Sequence, residues 1–289
     1  MYAITGITGQ IGGVMGRILL DAGQPVRAVV RNAGKGRAWT DRGCEVALAT
    51  IEDAASLAAA FRGAEGIFVL APPNFDPQPG FREAEAIGAA LRSALVAARP
   101  ARIVYLSTIG AQASQPNLLT QHTIIERALH DLPVPIMFLR PAWFMENCRW
   151  DVAPAREQGV IPSFLQPLDK PVPMVATADI GKLAAALLQE RGSGNRVVEL
   201  EGPHRVTPNE IASTFTKVLG QSVRMQVVPR DSWEGLFRSQ GMKNPLPRMR
   251  MLDGFNEGWI EFENRESGSQ NGSTSLVSVL QSLLQTSSE

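Results

Sequence analysis

The chain has 289 residues, 44% of them hydrophobic and 19% charged, and its 28 Lys and Arg balance 28 Asp and Glu. That composition belongs to ordinary globular proteins and excludes disordered, collagenous and coiled-coil chains. A net charge of +0 offers no excess of Lys and Arg for a phosphate backbone or an anionic leaflet, so neither nucleic acid nor a membrane is an expected partner.

Tyr2 to Thr5 opens the chain as a β-like run. Thr5-Gly6-Ile7-Thr8-Gly9-Gln10-Ile11-Gly12 joins it directly to a helix whose apolar residues Ile11, Val14, Met15, Ile18 and Leu19 share one face. Glycines at Gly6, Gly9 and Gly12 allow a tight turn, a close backbone approach to a pyrophosphate and close packing of helix on strand, with the anion at the helix N-terminus. The next strand, Val26 to Arg31, decides which dinucleotide fits. An acid at its end would bind the ribose hydroxyl of NAD, but here Arg31 is followed by Lys35 and Arg37, with no acid from Gln24 to Thr40. The expected cofactor is therefore NADP(H) in preference to NAD(H).

Val46 to Ala49, Ile67 to Ala71, Ile103 to Ser107 and Ile136 to Arg140 continue the strands. Between them stand a helix started by Asp53 and ended before Gly63, one with Ala84, Ile87, Gly88, Leu91 and Leu95 on its face, and one beginning near His122. Such alternation requires right-handed crossovers and a doubly wound parallel sheet, so residues 1–150 read as an α/β dinucleotide-binding domain. Pro141, Pro154, Pro162, Pro167, Pro171 and Pro173 then interrupt the rhythm. Residues 151–289 read as a smaller α+β substrate region, with part of 172–202 returning to the first domain through a helix after Thr177 and a strand at Val197 to Glu201. Thr207-Pro208-Asn209-Glu210 is a capping box with an N1 proline before the stripe Ile211, Phe215, Val218, Leu219. Glu263 to Ser273 reads as a mobile polar loop, and Leu276, Val279, Leu280, Leu283 and Leu284 mark a last amphipathic helix. Apolar faces on the long helices serve equally for a core or for pairing two copies as a homodimer.

No segment has the length or apolarity of a spanning helix or the pattern of a leader, so a cytoplasmic protein is expected. Cys44 and Cys148 share no ligand spacing, so neither a disulfide framework nor a metal site is expected.

With the turn at Thr5 to Gly12, Val-Arg-Ala-Val-Val-Arg-Asn at 26–32 and Leu-Arg-Pro-Ala-Trp-Phe-Met-Glu-Asn at 139–147, the chain resembles the NmrA-like family of atypical short-chain dehydrogenases/reductases. The likeness continues through Val172 to Val175 with Asp179-Ile180, and through Gly254 to Trp259. It implies a Rossmann-like sheet with a smaller C-terminal region and a cleft at the carboxyl ends of the strands. By position, it implies that Gly6, Thr8, Gln10 and Ile11 line the pyrophosphate and Arg31 meets the adenosine phosphate. Thr50 stands where similar proteins often carry an Asp near the adenine, with Ile51 packing on that ring. Leu70, Ala71 and Pro72 would lie under the cofactor, Ser107 and Thr108 beside the nicotinamide, and Pro141, Ala142 and Phe144 around it where the substrate pocket begins. The family contains NAD(P)H-dependent reductases of quinones, triphenylmethane dyes and phenylpropanoids, and also a redox-sensing regulator.

Typical short-chain dehydrogenases use a Tyr-x-x-x-Lys pair as proton donor. Here the only tyrosines are Tyr2 and Tyr105, and Ile109 stands four residues after the latter, so that dyad is absent. Sugar-nucleotide epimerase chemistry is disfavoured on the same ground. Acceptors needing no positioned acid remain, such as quinones or cationic conjugated systems, so the expected substrate is small and conjugated or aromatic. His122 is the candidate titrating group, with Glu126 one turn on to orient it or raise its pKa; Ser107 and Thr108 are candidate donors to a substrate oxygen. Trp143, Phe144, Trp233, Phe237, Phe255 and Trp259 are candidates for an aromatic wall, two or three of them reaching the pocket. The two functions open are an NADPH-dependent oxidoreductase and a non-catalytic NADP(H) sensor.

Overall fold

A computed structural model describes residues 1–192, 194–263 and 268–286. The chain begins β1 (Tyr2–Thr5), α1 (Gln10–Asp21), β2 (Val26–Val30), α2 (Ala33–Thr40), β3 (Glu45–Leu48), α3 (Ala54–Phe61), β4 (Gly66–Leu70), α4 (Arg82–Ala98), β5 (Arg102–Leu106), α5 (Thr120–Leu129) and β6 (Ile136–Pro141). After β6 come β7 (Trp143–Phe144), a 3-10 turn at Met145–Asp151, α6 (Val152–Gln158), β8 (Val160–Ser163), β9 (Met174–Val175), α7 (Thr177–Gln189) and β10 (Arg196–Glu201). The chain continues through α8 (Pro208–Leu219), β11 (Arg224–Val227), α9 (Trp233–Ser239), α10 (Leu246–Glu257), β12 (Gln270–Asn271) and α11 (Leu276–Thr286).

Eight strands form one parallel sheet in the order β12-β10-β6-β5-β4-β1-β2-β3. Alternating strand residues feed two cores. Tyr2, Ile4, Val104, Leu106, Met137 and Leu139 pack with α1 and α7 on one face, and Ala3, Ile103, Tyr105, Ile136 and Phe138 pack with α3, α4 and α5 on the other. A sheet covered on both faces explains why the strands read as apolar runs rather than as polar alternation. The strand order reverses between β1 and β4, which opens a crevice at their carboxyl ends. Two short parallel pairs, β8 with β11 and β7 with β9, support the C-terminal region.

Val197 to Glu201 does return to the large sheet, where β10 pairs with β6. The capping box forms as expected: Thr207 Oγ1 accepts the Glu210 N–H at 3.0 Å and Glu210 Oε2 accepts the Thr207 N–H at 2.6 Å. Thr177, in contrast, is not the cap of α7 but its first residue. Glu146 caps that end, its carboxylate accepting the Thr177 backbone N–H at 2.9 Å and hydroxyl at 2.7 Å.

The polar stretch after Glu263 differs from the expected loop in its described part. Gln270 and Asn271 add a short edge strand beside β10, and Asp179 accepts from the Thr274 N–H and hydroxyl at 2.7 and 2.8 Å. Paired backbone and a buried carboxylate hold this segment despite its composition. Residues 264–267 of the expected loop lie outside the described residues. Among the described residues no helix is long and apolar enough to cross a membrane. Cys44 and Cys148 are free and buried.

Candidate functional site

The glycine turn occupies the crevice between β1 and β4. Thr5 Oγ1 accepts the Leu70 N–H at 2.7 Å, tying the ends of the two strands together. Gly6 adopts φ +66° over the Leu70 side chain, and the Gly9 N–H closes the turn on the Gly6 carbonyl at 2.9 Å. A Cβ on Gly12 would stand 2.4 Å from that carbonyl oxygen, so glycine is required there. Gly9 caps α1 without any side-chain bond, and no acid lies in the first turn. Free N–H groups at the positive end of a helical dipole, beside exposed Thr8, Gly9 and Gln10, fit a pyrophosphate. Ile11 turns its side chain into the core at 5% exposure, so only its backbone faces the turn.

Arg31 follows β2 and is exposed, as are Lys35 and Arg37. Asn32 caps α2 by accepting the Lys35 N–H at 3.0 Å, a local reason for the chain to turn there and present its cations. No ion pair engages Arg31 among the described residues, and this cluster suits a phosphate on the adenosine ribose. Thr50 is exposed at the end of β3, while Ile51 is buried in the core and packs inward rather than standing free.

At the ends of β4, β5 and β6 the expected residues separate into two groups. Leu70, Ala71 and Pro72 line the crevice, Pro72 exposed and Leu70 half-buried. Ser107 is 3% exposed and donates to Glu126 Oε1 at 2.5 Å. Glu126 is also gripped by Arg140, whose Nε and Nη2 donate to its two oxygens at 2.9 and 2.6 Å, and Arg140 Nη1 donates to Glu263 at 2.7 Å. Ser107 is thereby committed to a buried ion pair, whereas Thr108 is half-buried with its hydroxyl unbonded among the described residues.

Glu126 therefore does not orient His122. The His122 Nδ1 meets the Tyr105 hydroxyl at 2.8 Å instead, and Tyr105 is fully buried in β5. Burial lowers the His122 pKa to about 4, the Glu126 charge opposing this only in part, and burial holds the Tyr105 phenol well above 10. Both groups are neutral at pH 7. His122 lines a recess with Ala71, Pro72, Asn74, Glu83 and Gln121, bounded by the β4 loop, α4 and α5. Asp76 fastens that loop: its carboxylate accepts the Lys243 and Asn244 N–H groups at 2.9 and 2.6 Å.

Of the six candidate aromatics, three are buried and three are half-buried. Trp233 and Phe237 are fully buried against Phe164, and Phe255 packs edge-on against Trp143 at 5.1 Å between ring centres. Trp143, Phe144 and Trp259 are half-buried, while Pro141 and Ala142 are buried. Sequence reasoning missed Tyr105, Arg140 and Glu83. A lone arginine ending an apolar strand was the available signal for Arg140.

Comparison with known proteins finds relatives along nearly the whole chain. Quinone oxidoreductase 2 of Escherichia coli K12 is 29% identical over 252 residues, 86% of this chain and 85% of its own. NAD(P)H azoreductase of Xenophilus azovorans is 27% identical over 248 residues, 85% of this chain and 83% of its own. An NADPH-dependent quinone oxidoreductase of Escherichia coli, solved with NADPH, superposes with a TM-score of 0.80 at 26% identity over 99% of each chain. Triphenylmethane reductase of Citrobacter sp. gives 0.79 at 25% identity over 98% of this chain and 99% of its own. The profile of the NmrA-like family matches residues 2–258, and the chain belongs to that family.

Proposed function

We propose that this protein is an NADPH-dependent oxidoreductase that passes hydride to a quinone-like or cationic conjugated acceptor. The observation that carries the reading is the glycine turn at the β1/β4 crevice, with no side-chain cap, and beside it Arg31, which no ion pair engages among the described residues. Its relatives by sequence include reductases that act on quinones or take NAD(P)H, in keeping with the same chemistry.

The dinucleotide supplies the hydride when bound. The chain's own part is to hold it and to order the acceptor. Backbone N–H groups at Gln10 and Ile11 would take the pyrophosphate, and Arg31 with Lys35 would offset the charge of the ribose phosphate. Ala71 and Pro72 form an apolar floor that keeps water from the reacting face. His122, neutral at working pH, stabilises charge that develops on the acceptor by donating a hydrogen bond, and Thr108 is a second donor in reach of the same crevice. A quinone reduced in this way is a stabilised anion that solvent protonates, so no Tyr-x-x-x-Lys pair is needed.

The test follows NADPH oxidation with purified protein over a panel of quinones and cationic dyes. Saturable, protein-dependent oxidation is expected with at least one acceptor. Arg31→Ala is expected to weaken NADPH by about tenfold, the scale of a charge-assisted phosphate contact, and to leave NADH unchanged. An unaltered NADPH to NADH affinity ratio would remove the cofactor assignment. Tight NADPH binding with no turnover across the panel would favour a sensor of the NADP(H) pool.

A further inference from the structure

The recess between the β4 loop, α4 and α5 is lined by two polar groups of opposite kind, each with a hydrogen-bonding position that no bond among the described residues fills. One is an acceptor. Glu83 Oε2 is buried with no hydrogen-bond donor, and the other oxygen has only the Gln78 N–H at 3.4 Å. A buried carboxylate oxygen without a donor costs the fold free energy, which a ligand donor would offset. The other is a donor. Tyr105 is fully buried, and His122 Nδ1 is the hydrogen-bond partner of its hydroxyl. If Nδ1 carried the imidazole proton, the phenol proton would be stranded in the core. One bond satisfies both groups when the phenol donates to Nδ1, and the proton of the neutral ring then sits on Nε2. Tyr105 is in this sense a positioning residue for His122. Neighbouring amides are tied to the backbone: Asn74 Oδ1 accepts the Asp76 N–H at 3.1 Å, and Gln121 Nε2 donates to the Asn74 carbonyl at 2.8 Å.

We propose that this recess is a subsite for a donor-acceptor edge of the substrate, a conjugated carbonyl flanked by an N–H or O–H, with His122 Nε2–H meeting the carbonyl oxygen and Glu83 accepting from the flanking group. The proposal rests on the oxidoreductase reading and narrows it to a substrate class. It also separates two roles that a bare quinone would leave undivided: His122 polarises the atom that gains charge, and Glu83 selects which acceptors enter. A carboxylate in the recess disfavours anionic acceptors as well.

The experiment compares an aminonaphthoquinone, with its amino group beside a carbonyl, and the methylnaphthoquinone of the same outline. Each is titrated into protein saturated with NADP+, where no reduction occurs, and then assayed with NADPH. The wild type is expected to bind the amino compound about tenfold more tightly, as for one hydrogen bond to a charged group. Glu83→Met is expected to bring the two affinities within about twofold with NADP+ affinity unchanged, and Glu83→Gln, which keeps an acceptor oxygen, to restore part of the preference. The imidazole 15N spectrum should show a single Nε2–H tautomer for His122, lost in Tyr105→Phe together with affinity for both quinones. Equal binding of the two compounds by the wild type, or a preference that survives Glu83→Met, overturns the subsite. Turnover without preference leaves the oxidoreductase reading standing and removes the subsite; preference without turnover does the reverse.

Discussion

His122 and Asp151 carry pKa values displaced by the same cause in opposite directions. Burial lowers His122 from 6.5 to about 4 and raises Asp151 from 3.8 to about 7, because each site disfavours the charged form. The histidine is depressed in the folded state, so its contribution to stability is present above pH 6.5 and is lost as pH falls through about 4. The aspartate is raised, so its contribution is present below pH 3.8 and is lost as pH rises through about 7. Between those limits the two slopes oppose each other. Urea midpoints measured across this range should change little in the wild type. His122→Gln should leave stability falling with pH, and Asp151→Asn should leave it rising, each by about 1 kcal/mol per pH unit, somewhat under the slope of one full proton. A single slope common to both variants would show that neither group titrates as placed.

At the scale of elements, two junctions fix the crevice. The β1–α1 junction depends on Gly12, whose Cβ would meet the Gly6 carbonyl at 2.4 Å. Gly12→Ala should cost about 1–3 kcal/mol of stability from overpacking and abolish measurable NADPH binding, read by thermal unfolding and titration. The second junction ties β5, β6 and α5 through Ser107, Glu126 and Arg140. Arg140→Met would leave the Glu126 carboxylate buried and uncompensated, and is expected to cost about 3–5 kcal/mol in urea unfolding. The first junction was legible in the sequence, because glycines at Gly6, Gly9 and Gly12 act on their own neighbours and the strand and helix on either side confirm them. The second was not. Glu126 and Arg140 lie 14 residues apart on different elements, and nothing in local periodicity pairs a helix acid with a strand arginine. The same limit hid the partner of His122, for helical spacing pointed to Glu126 while the preceding strand supplied Tyr105, 17 residues away. Edge strand β12 escaped for another reason: Gln270 and Asn271 pair only through their backbones, so no apolar pattern marks them. Motif residues Glu146 and Asp179, which carried the family resemblance, prove to cap α7 and to hold Thr274.

For the molecule as a whole, a cofactor that binds only the folded chain must stabilise it. At NADPH about a hundredfold above its dissociation constant the gain is about 2.7 kcal/mol, which should raise the unfolding temperature by several degrees, with a smaller rise for NADH at equal concentration. Equal shifts from the two would contradict the role given to Arg31. The large sheet gathers strands from both halves of the chain, and β10 and β12 join it only after the proline-rich stretch has folded back. Asp76 extends the same dependence to the recess, since its carboxylate takes backbone N–H groups 167 and 168 residues further along. During synthesis the glycine turn can form as soon as its two strands are out, but the β4 loop lacks its Asp76 anchor until Lys243 and Asn244 have emerged. At about 5–20 residues per second that interval is on the order of 10 s, so the nascent chain passes through a stage in which the glycine turn is closed while the recess is still unfastened.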